Sequence, residues 1–250
     1  MRRTTLTTIA IVTMLALSGA TALADTLLGT EGADTLNGTP SPDQLYGEAG
    51  DDLLNGIESD DYLEAGSGND RLNGGSGADL LLGGTGDDSL VAGPGADVTY
   101  AGAGEDTVLG DSGDDTILGQ AGADRLFGGS GRDRLYASGG GDVADGGSGS
   151  DRITGSGGGD TLIGGAGNDV IVSGGGSVTV RAGRGRDRIR TGSGDDVVSG
   201  GSGSDGIATG AGNDRVSARD GKRDRVECGR GRDTVTADRF DQLRSCEQRG

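Results

Sequence analysis

The sequence predicts an all-β solenoid of stacked 18-residue coils, and three observations carry that expectation. Asp recurs every nine residues from Asp25 to Asp169, resumes in register from Asp187 to Asp214 after a break at Val178, and continues one residue out of step at Asp224 and Asp233. An aliphatic residue stands two positions after most of these acids, as at Leu72, Leu81, Leu90, Val108, Ile117, Leu126, Leu135, Ile153 and Leu162. Gly stands two and usually four positions before them. A fixed short period of this kind marks an architecture in which one small unit stacks on the next.

The chain opens differently. Arg2 and Arg3 precede an apolar stretch from Ile9 to Leu17 and then small residues ending Ala22-Leu23-Ala24. This order predicts a secretory signal peptide over residues 1–24, cleaved after Ala24, because the apolar run is shorter than the roughly 20 residues a spanning helix needs. The expected location is therefore extracellular, with no membrane span once the signal is removed.

Residues 25–236 carry the repeats. The first six residues of each nonapeptide are Gly-rich, so they can take positive φ, turn tightly and aim carbonyl oxygens inward. The last three are expected to form a short strand with only the aliphatic side chain facing inward. Two nonapeptides close one flattened coil, and successive coils stack as parallel strands about 4.8 Å apart. The chain beyond the signal gives about twelve such coils and a rod of roughly 60 Å.

Composition sets a condition on this fold. The net charge is −18, aromatic residues make up 2% of the chain, and Trp is absent, which excludes a large conventional core. Such a chain on its own buries too little apolar surface to offset its entropy. Stacking also places Asp residues eighteen apart in a line along each edge, Asp43, Asp61, Asp79 on one and Asp34, Asp52, Asp70 on the other. A multivalent cation would cancel the repulsion that this creates.

The pattern G-G-x-G-x-D-x-U-x, with U aliphatic, is met in full at Gly74 to Leu82, Gly83 to Val91, Gly128 to Tyr136, Gly146 to Thr154, Gly164 to Val172 and Gly200 to Ala208. On these residues the chain resembles the RTX, or haemolysin-type, calcium-binding repeat family. The resemblance implies a right-handed parallel β-roll. It also implies several Ca²⁺ ions held between neighbouring turns by the motif Asp and carbonyls of the Gly-rich half, which suits a hard cation taking 6–8 oxygens. The ligand set it implies is Asp70, Asp79, Asp88, Asp97, Asp106, Asp115, Asp124, Asp133, Asp142, Asp151, Asp160, Asp169, Asp187, Asp196, Asp205 and Asp214. Of these, Asp70, Asp79, Asp88, Asp133, Asp151, Asp169 and Asp205 match the motif best. Departures predict weaker sites: Ser41 and Ser59 replace Gly before Asp43 and Asp61, Pro42 adjoins Asp43, and Val178 removes a carboxylate between Asp160 and Asp196. Calcium is expected to be densest from Asp70 to Asp169. Arg186, Arg223 and Arg232 directly precede repeat Asp residues and are expected to compete for them.

Cys228 and Cys246 are one coil apart, which predicts stacked neighbours about 5 Å apart at Cα and a disulfide. It would tie the last coils to a C-terminal cap over residues 237–250, containing Arg239, Phe240 and Leu243.

The residue after each aliphatic one is expected to point outward. One such row reads Leu28, Tyr46, Glu64, Leu82, Tyr100, Leu118 and Tyr136, and its stretch from Leu82 to Tyr136 is a candidate surface for a protein partner or a second copy. Another begins Asn37, Asn55 and Asn73, which suits an amide ladder. Catalysis has little support. The chain has no His, and its Gly-rich runs lack the G-K-[ST] of a phosphate-binding loop. Residues 25–180 carry 28 acidic and 5 basic side chains, against 12 and 15 in residues 181–250. Nucleic acid is therefore not expected as a partner, and most Arg residues at the basic end are expected to pair with the adjacent Asp. The reading is a secreted, non-enzymatic calcium-binding protein that folds on the ion. The alternative is an extracellular adhesive rod for matrix, carbohydrate or ice, in which calcium is only structural. The scattered Thr26, Thr35, Thr107, Thr116 and Thr161 form no regular row for ice.

Overall fold

The computed structural model describes residues 24–249, and the signal peptide expected over residues 1–24 lies outside them apart from Ala24. The described chain is an all-β parallel solenoid of two facing sheets. One has 13 strands, from Thr26–Thr30 to Gln242–Arg244, and the other 14, from Thr35–Asn37 to Gln248–Arg249. Successive strands alternate between the sheets, except that Val197–Ser199 and Ser202–Gly203 both pair with Thr179–Gly185, so each coil contributes to either side.

Register follows the sequence period. Leu45 pairs with Leu63, Leu63 with Leu81, and Leu54 with Leu72, always one 18-residue coil on. The one-residue slip near the end is absorbed where Ile207 meets Val226 and Val216 meets Val235. The next pairing, Val226 with Leu243, is shorter and carries the tail onto the last coil.

The strands are longer than the expected three residues. Twelve of the 27 described strands run to six, as in Arg71–Ser76 and Thr161–Ala166, because the ladder continues through the first three residues of the following nonapeptide. Strand alternation then puts three positions inside rather than one: the Asp, the aliphatic residue two later, and a small residue two beyond that. Leu126, Ile153 and Leu162 are fully buried, and the third position is mostly Gly or Ala, as at Ala65, Ala101 and Ala182, with Ser173, Thr191, Thr209 and Cys228 toward the C-terminal end. The core is thus a narrow aliphatic ladder flanked by two ladders of carboxylates.

Cys228 and Cys246 form the expected disulfide, with Cα atoms 5.2 Å apart. The tail extends both sheets, and Leu243 packs against the core while Phe240 stays exposed beneath the Arg239 guanidinium. The outward row forms as expected, Leu82, Tyr100, Leu118 and Tyr136 standing in register. Only Tyr100 is exposed; the others are half-buried by their neighbours, so the row presents less open apolar surface than its composition suggests. Asn55 donates to Asn37 at 2.8 Å, the first rung of the amide ladder.

Candidate metal centre

All sixteen candidate Asp residues are buried in one repeated geometry. Each Oδ1 accepts a backbone N–H from one coil earlier: Asp52 donates to Asp70, Asp97 to Asp115, Asp133 to Asp151 and Asp196 to Asp214, at 2.7 to 2.9 Å. Two parallel ladders result, along the two lines that the spacing foretells. Val178 interrupts one of them, since it accepts nothing from Asp160, although its own N–H still donates to Asp196 at 3.0 Å.

The other oxygen of each of these carboxylates is buried with no hydrogen-bond partner. At nine of the sixteen it points toward a Gly five residues earlier, whereas Ala stands there before Asp70, Asp97, Asp106, Asp142 and Asp187 and Thr before Asp196 and Asp214; at Gly74, Gly83, Gly110, Gly128, Gly146 and Gly164 a carbonyl of the next coil shares the space. A Cβ built on Gly146 would lie 2.6 Å from Asp151 Oδ2 and 2.8 Å from the Gly164 carbonyl oxygen. On Gly128 it would meet Asp133 Oδ2 at 2.5 Å and the Gly146 carbonyl at 2.8 Å. Gly at this position therefore keeps open a small space flanked by two acceptors. A buried carboxylate oxygen with no donor requires a proton or a cation.

The titration behaviour agrees. Burial pushes Asp88, Asp115 and Asp151 up to about 7, with neighbouring carboxylates adding to the shift and the accepted backbone N–H opposing it. Asp97, Asp124, Asp187 and Asp205 are raised to about 6 for the same leading reason. Desolvation acts against the charged form, and stacked like charges compound it.

The residues present fit calcium in kind. Unpartnered carboxylate oxygens beside backbone carbonyls are the hard oxygen donors that Ca²⁺ takes. Among the described residues no three His, Cys, Asp or Glu side chains converge as a ready cage, so backbone carbonyls would have to complete any coordination shell.

Several features escaped the sequence reading. Asp52, Asp61, Asp224 and Asp233 share the buried, half-satisfied geometry, although the expected ligand set ran only from Asp70 to Asp214. At the N-terminal end the departure is real. Asp34 Oδ2 accepts from the Thr30 amide and hydroxyl at 2.6 and 2.8 Å, and Asp43 Oδ2 from those of Thr39 at 2.5 and 3.0 Å. Thr four residues before these two Asp was the available signal. At the other end Asp241 and Glu247 terminate the ladders, accepting from the amides of Asp224 and Asp233. They are acids near, but not at, the next repeat positions. An exposed ladder also runs over the turns, where Asp51 accepts from the Asn69 amide, Asn69 from Asp87 and Asp87 from Glu105, each at 2.9 Å.

The expected Arg–Asp pairing does not occur at the repeat carboxylates. Asp187, Asp224 and Asp233 keep an unpartnered Oδ2 despite the preceding Arg186, Arg223 and Arg232, because those side chains lie outside the coil while the carboxylates face in.

Comparison with known families gives a match along most of the chain. The model described as RTX calcium-binding nonapeptide repeat (4 copies) matches residues 28–56, 55–90, 73–108, 109–144, 145–180 and 181–216. The comparison with curated proteins returned no match.

Proposed function

Because the chain belongs to the RTX calcium-binding nonapeptide repeat family, we propose that it is a secreted, non-catalytic calcium-binding protein whose roll forms as several Ca²⁺ ions are taken up. The observation that carries this reading is the unpartnered carboxylate oxygen repeated from Asp52 to Asp233. Above about pH 7 those oxygens hold charge in a buried setting that offers no donor, so the folded chain needs an external positive charge there. Calcium supplies that charge when bound.

The residues that would hold it are the sixteen Asp from Asp70 to Asp214, with inward carbonyls such as those of Gly146 and Gly164. The weak end is the first coil, where Thr30 and Thr39 already satisfy Asp34 and Asp43. Metal binding and folding are then one equilibrium. The chain would stay unfolded where calcium is scarce and fold after export, in the roughly 10⁻⁴ to 10⁻³ M range typical of extracellular modules. Among the described residues no helix is long and apolar enough to cross a membrane.

The test is a calcium titration of residues 25–250 followed by circular dichroism, with magnesium as control. A cooperative rise in β signal with Ca²⁺ and not with Mg²⁺ is expected. Full β signal in chelator would overturn the coupled-folding reading.

A further inference from the structure

Outward guanidinium groups are most numerous on the 13-stranded sheet, although Arg71, Arg125, Arg181 and Arg215 stand on the other. Odd positions after a repeat Asp point outward, and in the 13-stranded sheet those positions hold Arg134, Arg152, Arg188 and Arg225 in one column and Arg190 in the next. All five are exposed. Five strand spacings separate Arg134 from Arg225, so the column is about 24 Å long. Glu227 is the only acid among the outward positions of this sheet from Arg134 to Arg244. A linear cationic strip thus lies on a chain of net charge −18.

The strip has a recess. Gly206 and Ala208 stand between the Arg188/Arg190 strand and the Arg225/Glu227 strand, and their small size opens a trough of about 390 Å³. Arg188 and Arg225 face each other across Gly206, two strand spacings or about 10 Å apart. Val170 and Val172 form an apolar wall beside them. Guanidinium forks suit carboxylate and sulfate geometry, and an apolar floor between them suits the body of a sugar ring.

We propose that this strip binds an extended anionic glycan, with Arg188 and Arg225 gripping acidic groups across the Gly206–Ala208 trough. A carboxylated or a sulfated chain supplies the same chemistry. Single-stranded nucleic acid fits less well, because binding it relies on aromatic stacking platforms and Tyr136 is the only aromatic residue on this stretch. The acidic first two-thirds of the rod confines a polyanion to this end.

The test uses the calcium-loaded full chain and four probes of matched length: oligogalacturonate, sulfated dextran, neutral dextran and oligodeoxythymidylate. The variant Arg188→Gln/Arg225→Gln is compared with wild type and with Arg71→Gln on the opposite sheet, after calcium-dependent circular dichroism has shown all three equally folded. The expected result is salt-sensitive binding of one or both anionic glycans but not neutral dextran, at least tenfold weaker in the double variant and unchanged in Arg71→Gln. The salt dependence should fall by roughly two ions, one per Arg removed. Binding that survives the double substitution would mean calcium bridging elsewhere on the rod and would overturn the proposal. So would tighter binding of oligodeoxythymidylate, or no binding of either anionic glycan.

Discussion

Replacing Asp151 with Asn should stabilise the metal-free roll and lose that gain in calcium. Asp151 is fully buried, accepts the Asp133 amide through Oδ1 at 2.9 Å, and leaves Oδ2 unpartnered beside the Gly164 carbonyl. In the metal-free roll, burial first and the charges of Asp133 and Asp169 next raise it from 3.8 to about 7. A proton is then held on the order of a thousandfold more tightly folded than unfolded, a penalty above pH 7 of up to about 4 kcal/mol for the ionised form. Stacked carboxyls share that load, so one substitution recovers roughly 1–2 kcal/mol of it. Asn keeps the Oδ1 acceptor and sets an amide donor toward the Gly164 carbonyl, adding about 1 kcal/mol. In calcium the same change removes an anionic ligand, and at a hundredfold excess over Kd losing one ion costs about 2.7 kcal/mol. The assay is the urea midpoint of the β signal at pH 7.5, once in chelator with a stabilising osmolyte and once in calcium at a hundredfold excess over Kd. The midpoint should rise in the first buffer, by the roughly 2–3 kcal/mol of the two gains, and that rise should be cancelled in the second. A fall in both would refute the reasoning, since Asp151 would then be an ordinary structural acceptor.

Three further outcomes follow from the same geometry. In chelator, acid should replace calcium: carboxyls raised to about 7 at Asp88 and Asp115 and about 6 at Asp97 and Asp124 make the folded chain bind more protons than the unfolded one. Stability from them is complete below about pH 4 and is lost as pH rises through 6 to 7, so the metal-free β signal should be stronger at pH 5 than at pH 8, the reverse of ordinary acid denaturation. Gly149→Ala should abolish the cooperative transition even in calcium, because its φ is +140° and a Cβ would collide with the Gly131 carbonyl of the coil below; Gly221→Ala, at φ +83° with nothing within 4 Å, should cost only about 1 kcal/mol in the same melt. Reducing Cys228–Cys246, which closes an 18-residue separation, should lower stability by about 3 kcal/mol and expose the last coils first to limited proteolysis.

Register, coil length, disulfide and both carboxylate lines were legible because they depend only on a period, and the 18-residue repeat holds from Leu27 to Ile207. Features that depend on what fills the space beside a residue were harder to read. Gly146 looks like a turn residue until the structure places Asp151 Oδ2 where its Cβ would stand. The expectation of a three-residue strand with one inward side chain failed for that reason: the Gly is an inward position emptied for a carboxylate, so the strand continues through it. The Arg residues were misjudged by the same oversight. Once the Asp is known to face in, alternation sends Arg134, Arg152 and Arg188 out, one residue away in sequence and on the other side of the backbone. One parity rule therefore separates the two charges of the chain. It buries the repeat Asp where only a small cation or a proton reaches them, and it turns Arg134, Arg152, Arg188 and Arg225 onto an open face. The two sites are independent in chemistry, yet the strip exists only while the roll is wound. Calcium should accordingly gate whatever the strip binds, without any contact between ion and ligand.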